Sequence, residues 1–323
     1  MKQPTPPIEW VDDHIRIIDQ TLLPSELKII EIRTAAQAVD AIQRLAIRGA
    51  PALGAFGSLA LVVALDEYHS KSLNEAISHL ESCRVSIGDA RPTAVNLRWA
   101  VDRVIDRAIA RSSDLENLRD NLLREAHLVA AEDAEACAEI GRLGRELLRD
   151  AVVIGTHCNA GRLATAGTGT ALAPMYAKFE AGEKLRVLAS ETRPLLQGAR
   201  LTAWELNDAG IDVTVVPDAA MASTVLSGEV DAYIVGADRI AGAALVEEGH
   251  RPTALGEDDL QAAEPIDAHA DPKRRRRIDA IPGGVHAVEL RRILRRAACA
   301  AVDDGKITPV DGAAPLVARA VAA

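Results

Sequence analysis

Short apolar runs alternate with longer helical stretches from residue 151 onward, and this alternation restricts the fold more than any other feature of the sequence. The runs are AVVIG (151–155), LRVLAS (185–190), IDVTVVP (211–217) and DAYIVGA (231–237). Strands that are apolar on both faces and joined by crossover helices form parallel sheets covered by helices on both sides. We therefore predict an α/β fold with a Rossmann-like parallel-sheet domain over residues 151–241.

The preceding residues 1–150 predict a mainly helical N-terminal domain. Residues 34–47 repeat apolar side chains at helical spacing behind Thr34, a residue type that caps helix N-termini. Pro51 is tolerated in a first helical turn, and the segment after it, GAFGSLALVVALDEY, predicts a helix buried on nearly all sides. Amphipathic patterns continue over 73–87 and 92–150, so the domain boundary is expected at about residue 151.

Charge and cysteine content exclude several classes of function. With 37 Lys and Arg against 47 Asp and Glu, the formal net charge is −10, which argues against a general nucleic-acid binder. The 4 cysteines form no C-x-x-C pair and have no histidine at metal-ligand spacing, so we expect no metal and a reducing, cytoplasmic environment. The N-terminus has no apolar targeting segment and no stretch reaches about 18 uninterrupted apolar residues, so no membrane association is expected.

Polar clusters follow the apolar runs at the positions where ligands bind in parallel sheets, beyond the carboxyl ends of the strands. They are Thr156 to Gly161, Ser190 to Pro194 and Gly236 to Arg239. No G-x-G-x-x-G motif with a downstream acidic residue accompanies them, so binding of a dinucleotide is not supported.

Cys158 and Asp238 are the candidate catalytic residues in these clusters. Cys158 follows a strand and precedes an expected helix, whose N-terminal N–H groups would stabilise a thiolate; the alternative is a small buried apolar residue. Asp238 follows an apolar strand, where burial would raise its pKa into a useful acid/base range; the alternative is an ion pair with Arg239.

Arg48, Arg91 and Gln197 are candidate binding residues. Arg48 and Arg91 each precede a proline-containing turn at a helix start, where a pair of guanidiniums would hold a phosphate. For either arginine taken alone, an ordinary surface ion pair is the favoured interpretation. Gln197 follows Arg193 by one helical turn, where its amide would bind a sugar hydroxyl or simply face solvent.

Five long motifs, in this order, carry a resemblance to a known family. They are IRGAPALGAFGSLAL, RPTAVNLRWAVDR, GTHCNAGRLATAGTGTAL, ETRPLLQGARLTAWEL and VDAYIVGADRIA, and the match that contains them covers roughly residues 8 to 241. The chain resembles the 5-methylthioribose-1-phosphate isomerases of methionine salvage. The wider family includes ribose-1,5-bisphosphate isomerases and the noncatalytic regulatory subunits of a translation-initiation guanine-nucleotide exchange factor. The cysteine and aspartate in the third and fifth motifs favour the isomerases.

The resemblance implies an aldose-to-ketose isomerisation of a sugar 1-phosphate without a metal or redox cofactor. It assigns Asp238 as the acid/base and Cys158 as the second catalytic group. It assigns substrate binding to Arg48, Gly49, Ala50, Arg91 and Gln197. It also implies a homodimer and no partner beyond the small-molecule sugar phosphate. Ribose 1,5-bisphosphate as the substrate, and a noncatalytic sugar-phosphate-binding or regulatory subunit, are the alternatives.

The family pattern is lost abruptly after Ala241. The chain has 3 Trp, 3 Tyr and 2 Phe residues, and Tyr233 is the last of them. Residues 242–323 are rich in Ala, Arg and acidic residues and contain no run that would form a buried strand. We predict an atypical, poorly ordered or irregular tail, and our hypothesis is an out-of-frame continuation of a GC-rich gene; a genuinely diverged tail with surface helices is the alternative. Either way we expect weak or no activity.

Overall fold

The first structural element is a small antiparallel sheet that the sequence pattern did not indicate. The computed structural model describes residues 5–237 and five short strand segments beyond them. Strands β1 (Ile8–Val11), β2 (His14–Ile18) and β3 (Ile29–Ile32) pair in the order β1-β2-β3. The prediction of a mainly helical domain did not include these strands, because each has only 4 or 5 residues, too few to establish a period of two.

The predicted helices follow this sheet. They are α1 (Ala35–Gln43), α2 (Ala50–Tyr68), α3 (Leu73–Gly88), α4 (Val95–Ala110) and α5 (Leu115–Leu147). The Thr34 hydroxyl caps α1 by accepting a hydrogen bond from the Gln37 N–H group at 3.1 Å, as expected from sequence. The helical character of the N-terminal region is therefore confirmed, with the sheet added in front of it.

Helix α2 forms the centre of the N-terminal core. It is buried from Ala50 to Leu65 and packs against α3, α4 and α5. By length and composition alone it could cross a membrane, but 89% of its most apolar 18-residue stretch is buried inside the protein. Phe56 is fully buried and belongs to the apolar cluster that these helices form. The continuous apolar run is thus explained by a helix that is enclosed on all sides.

The predicted parallel sheet follows α5. Its described part consists of β4 (Val153–Thr156), β5 (Arg186–Ser190), β6 (Asp212–Val216) and β7 (Ala232–Ile234), in the order β6-β5-β4-β7 and parallel throughout. Helices α6 (Ala173–Glu180), α7 (Ala203–Asp208) and α8 (Asp218–Leu226) connect the strands. The α/β class is confirmed, and a second apolar core lies between this sheet and its helices.

Two connections in this region differ from the expected regular helices. After β4 the chain forms an irregular loop with a single 3₁₀ turn over Arg162–Ala164, and α6 begins only at Ala173. After β5 a π-helical turn, Gly198–Thr202, leads into α7. Departures of this kind are frequent at functional sites.

Long-range polar contacts join the segment after β2 to the parallel-sheet region. The Gln20 side chain donates to the Leu163 carbonyl oxygen at 2.7 Å. The Arg200 guanidinium donates to the carbonyl oxygens of Gln20 and Leu23 at 2.9 and 3.1 Å. Around them, Ile18, Leu23, Leu163 and Leu201 form a small apolar cluster. The two regions are therefore linked by both hydrogen bonds and apolar packing.

The remaining strand segments lie at and beyond the end of the sheet region. They are β8 (Gly236–Ala237), β9 (Arg239–Ala241), β10 (Ala244–Val246), β11 (Val302–Asp303), β12 (Lys306–Ile307) and β13 (Val321–Ala322). β13 pairs with β8 in parallel, while β9 with β10 and β11 with β12 pair antiparallel. Asp238 lies outside the described residues, and so do the residues of 242–323 that are not in these short strands. The expected irregular tail and the domain boundaries therefore stay predictions.

Candidate active site

The candidate site lies at the carboxyl ends of β4 and β5, where the start of α2 meets the loop after β4. Arg48 makes the central contact. Its two terminal nitrogens donate to the side-chain oxygen and the backbone oxygen of Asn159, both at 2.7 Å. This bidentate contact places a guanidinium from the helical region directly beside the loop that carries Cys158.

Cys158 is held by backbone contacts rather than by a helix. The expectation of a helix N-terminus next to the thiol was wrong, because no helix begins directly after Cys158. The Cys158 N–H group instead donates to the Thr192 hydroxyl at 2.8 Å, and its carbonyl accepts from the Thr202 hydroxyl at 2.6 Å. Cys158 is partly exposed, in contrast to the buried Cys83 and Cys137.

A buried carboxylate that the sequence analysis missed organises this loop. Glu205 is fully buried and accepts hydrogen bonds from the Asn159 amide, from the Arg162 N–H group at 2.8 Å and from the Tyr176 hydroxyl at 3.0 Å. Burial raises the pKa of Glu205, while the Arg162 guanidinium and these hydrogen bonds oppose the rise. Its one sequence signal is a charged residue between the apolar Trp204 and Leu206, which many surface helices share.

The start of α2 forms the second side of the site. Gly49 has a φ of +95°, and a Cβ at this position would lie 2.5 Å from the Ala164 Cα atom, so only glycine allows this approach. Gly49 offers no side-chain cap to the N–H groups of the first turn, which begins at Ala50. Such N–H groups, together with the helix dipole, favour an anion.

Arg91 lies at the same end of the helical region as Arg48. Gly54 of α2 lies against Asn96 of α4, and Gly57 lies against Leu97, so the N-terminal parts of the two helices pack against each other. Arg48 precedes α2 and Arg91 precedes α4, which places both arginines at the N-terminal ends of adjacent helices.

The loop after β5 packs tightly against the strand it leaves. A Cβ on Gly198 would lie 1.7 Å from the Ser190 carbonyl oxygen, so a glycine is required directly after Gln197. The Asp218 carboxylate holds the loop by accepting from the Thr192 and Arg193 N–H groups at 2.9 and 2.7 Å. Gln197 is partly buried and directly precedes the π-helical turn, so it belongs to the loop that also contacts Cys158.

A second carboxylate missed by the sequence analysis supports the other end of the β4 loop. Asp133 of α5 accepts from the Ala166 N–H group at 2.6 Å. Burial raises the pKa of Asp133 to about 6, with the Ala166 hydrogen bond opposing the rise. Burial likewise raises the pKa of the neighbouring Cys137 thiol to about 12, which disfavours the reactive thiolate.

The structure therefore brings together Arg48, Gly49, Ala50, Cys158 and Gln197, with Arg91 at the same end of the helical region. Gly236, which leads toward Asp238, lies against the loop: a Cβ there would be 2.9 Å from the Ala160 Cβ atom. Asp238 itself lies outside the described residues, so its place in the site stays a prediction. Within residues 5–237, no group of three or more His, Cys, Asp or Glu side chains is arranged to hold a metal ion.

Known proteins resemble this chain over most of its length. A 5-deoxyribose 1-phosphate isomerase from Moorella thermoacetica is 47% identical over 241 residues, which cover 74% of this chain and 69% of that protein. A methylthioribose-1-phosphate isomerase from Gemmatimonas aurantiaca is 46% identical over 238 residues, covering 73% and 69%.

Structural similarity agrees with these relationships. The crystal structure of 5-methylthioribose 1-phosphate isomerase from Pyrococcus horikoshii OT3 aligns with a TM-score of 0.71 and 35% identity, over 75% of this chain and 68% of that one. The sequence profile of the initiation factor 2 subunit family matches residues 46–247, which include α2, the parallel sheet and the loops described above. The chain is therefore a member of the initiation factor 2 subunit family.

Proposed function

We propose that this protein interconverts 5-methylthioribose 1-phosphate and 5-methylthioribulose 1-phosphate, an aldose–ketose isomerisation of methionine salvage. The observation that carries the proposal is the bidentate contact of Arg48 with Asn159, which joins a guanidinium and an uncapped helix start to the loop of Cys158. An anion-binding group and a partly exposed thiol thus lie within one loop cluster. The similarity to isomerases named for this substrate supports the same conclusion.

The phosphate of the substrate would bind at the start of α2. Arg48 uses two of its N–H groups on Asn159 and retains others for a ligand. The N–H groups of the first turn of α2, beginning at Ala50, would donate to phosphate oxygens, and Gly49 allows the close approach. Arg91, at the adjacent helix start, would supply the second guanidinium.

The chemistry follows from the phosphate on C1, which prevents ordinary ring opening. The ring oxygen must take up a proton as its bond to C1 breaks; the hydrogen on C2 then moves to C1, and the 2-hydroxyl gives up its proton to become a ketone. One proton enters and one leaves, so the balance needs no external oxidant or reductant. This balance of protons is the same whether the hydrogen moves from C2 to C1 as a hydride or as a proton by way of an enediol.

The two proton transfers require two groups, and we assign them to Asp238 and Cys158. Gln197 would hold a sugar hydroxyl, since its loop also contacts Cys158 through Thr192. Exclusion of water by the surrounding apolar residues would protect the open-chain intermediate.

Two other substrates share the same reacting atoms. Relatedness to an enzyme named for 5-deoxyribose 1-phosphate favours that sugar as the second candidate, because it differs from the first only by lacking the methylthio group on C5. Ribose 1,5-bisphosphate, with a phosphate on C5, is the third. A noncatalytic regulatory subunit remains the alternative outside the enzymes, and the name of the family reflects it.

The decisive experiment compares the three sugar phosphates in one assay and repeats it with two variants. We expect slow turnover of methylthioribose 1-phosphate, and a further loss of about 10²-fold or more in Cys158→Ser and Asp238→Asn, the usual contribution of a positioned acid/base. Cys83→Ala is the matched control, because Cys83 is buried away from the loops. Ligand binding without turnover would support the regulatory alternative instead. Equal turnover in the variants would refute the assigned roles.

We also propose that the activity of this polypeptide is low, because the family's pattern stops after Ala241. The family profile ends at residue 247, and the matched segments leave about a third of each relative unaligned. Resequencing of the gene tests the frameshift hypothesis, which an intact reading frame would refute. Normal turnover would refute the expectation of low activity.

The other properties proposed for the protein follow from composition and resemblance. We propose a cytoplasmic homodimer that needs no metal or cofactor and binds neither nucleic acid nor membranes. The net charge of −10 supports the absence of nucleic-acid binding. Sedimentation velocity would test the homodimer.

A further inference from the structure

The backbone of Cys158 adopts a conformation that an ordinary residue avoids. Its φ is +58°, in the left-handed region where a Cβ crowds the following carbonyl oxygen. A residue stays there only when its surroundings hold it, and such residues concentrate at functional sites. Thr192, which contacts it, also has a positive φ of +63°, and for a β-branched residue this is a genuine outlier.

The N–H group of Cys158 is held by Thr192. The Thr192 hydroxyl accepts from Cys158 at 2.8 Å and donates its own hydrogen to the Ser190 carbonyl at 3.1 Å. The Thr192 N–H group is in turn fixed by Asp218 at 2.9 Å. The hydroxyl is thus oriented by the end of β5, with a lone pair directed at Cys158.

The carbonyl group of Cys158 is held by Thr202. The fully buried Thr202 hydroxyl donates to it at 2.6 Å and accepts from the Asn159 amide at 3.1 Å. The same amide nitrogen donates to Glu205, which fixes its orientation. The hydroxyl hydrogen therefore has one available direction, toward Cys158.

We propose that the hydroxyls of Thr192 and Thr202 clamp Cys158 and so determine the direction of its thiol. Together they fix the peptide groups on both sides of one Cα atom, and the Cα–Cβ direction follows from those two groups. Both threonines are positioning residues. Their importance for turnover rests on the proposed function, but the clamp itself is a property of the loop.

The test measures Cys158 directly and needs no turnover. The rate of alkylation of Cys158 by iodoacetamide is followed by peptide mass spectrometry across a pH range, in the full chain. Cys137, whose pKa burial raises to about 12, serves as the internal indicator of folding. The variants are Thr192→Val and Thr202→Val, which keep the shape and remove the hydroxyl, and the serine variants, which keep the hydroxyl. Thr224→Val, on α8 and remote from the loop, is the control.

We expect both valine variants to change the Cys158 alkylation rate by at least about threefold and to shift its pH profile, since losing a hydrogen bond of ordinary strength alters an equilibrium by that factor or more. The serine variants and Thr224→Val should match the wild type. Valine variants with the wild-type rate and profile would overturn the proposal, as would serine variants that behave like valine.

If Cys137 becomes reactive in a valine variant, that variant has unfolded, and Asp218→Ala then decides. It removes the anchor of Thr192 without touching Cys158, and we expect a smaller change in the same measurement; no change would overturn the proposal. A failure of the clamp is distinguishable from a failure of the proposed function. If Cys158→Ser keeps full turnover, the catalytic assignment falls while the alkylation results stand.

Discussion

The helical core around α2 and the loops around Cys158 are held together by different forces. The core consists of apolar side chains at helical spacing that are buried against one another. The loops are fixed by side-chain hydrogen bonds between residues that are far apart in the sequence. Cys158 and Thr192 are 34 residues apart, and Arg48 and Asn159 are 111 residues apart. Apolar burial therefore stabilises the helical core, while hydrogen bonds set the positions of the candidate catalytic and binding residues in the loops.

The largest effect is expected from Phe56→Ala, which tests the helical core independently of the loops because it changes only the core. Removing a fully buried aromatic ring should lower the free energy of unfolding by about 3–5 kcal/mol, because a cavity remains among the surrounding helices. Urea unfolding followed by circular dichroism measures the loss. In the folded fraction, the alkylation rate of Cys158 should stay unchanged.

Val85→Ala provides the control for this change, because the Val85 side chain is mostly exposed. Its effect should stay within about 0.5 kcal/mol. A Phe56→Ala protein that retained wild-type stability would contradict the view that the apolar core carries most of the folding free energy.

Glu205→Gln should have the next largest effect, and it acts on the loops. The amide replaces one acceptor oxygen with a donor, so one of the N–H groups of Asn159 and Arg162 loses its buried acceptor. We expect a loss of about 2–3 kcal/mol in the free energy of unfolding. Because Asn159 orients Arg48, the Kd for the sugar phosphate measured by calorimetry should rise about tenfold.

The exposed Glu139, paired with Arg142 on the surface of α5, gives the matched control. Glu139→Gln should change stability by less than about 0.5 kcal/mol and leave the Kd unaltered. Unchanged ligand affinity in Glu205→Gln would show that Arg48 does not depend on this network.

The last effect concerns Asp133 and, unlike the other two, depends on pH. Its pKa in the folded state, about 6, lies above the ordinary value of 3.8, so the folded protein binds the proton more tightly than the unfolded chain. The contribution of this group to stability therefore falls as pH rises between about 4 and 6 and is constant above that range. Relative to the wild type, Asp133→Asn should gain about 3 kcal/mol in free energy of unfolding across this window.

Denaturant unfolding at closely spaced pH values measures this difference, and subtraction of the wild-type curve removes the titration of all other groups. Asp120→Asn, an exposed change on the same helix, should give a flat difference. A flat difference for Asp133→Asn would show that the carboxyl is not desolvated in solution.

The apolar patterns predicted the helices from α1 onward, the parallel strands and the loops where the candidate residues lie. They did this because helix and strand periods are local properties of consecutive residues, such as those of Ala50–Tyr68. Motif resemblance added the family and the site residues.

The sequence did not predict the short strands β1 to β3, the irregular loop after β4 or the buried carboxylates of Glu205 and Asp133. The short strands have too few residues to show a period. Glu205 and Asp133 acquire their roles from partners 46 and 33 residues away in sequence, which no local pattern encodes. The left-handed backbone of Cys158 likewise depends on Thr192 and Thr202.

The hydrogen bonds from Gln20 and Arg200 also determine when the fold can be completed during synthesis. Gln20 contacts Leu163 across 143 residues and Arg200 across 180 residues. A ribosome exposes the segment after β2 long before either partner has been made, whereas α1 to α5 need only one another. The nascent chain can therefore build its helical core first, and the candidate active site is assembled only after Arg200 and the residues that follow it have emerged and tied the beginning of the polypeptide to the sheet.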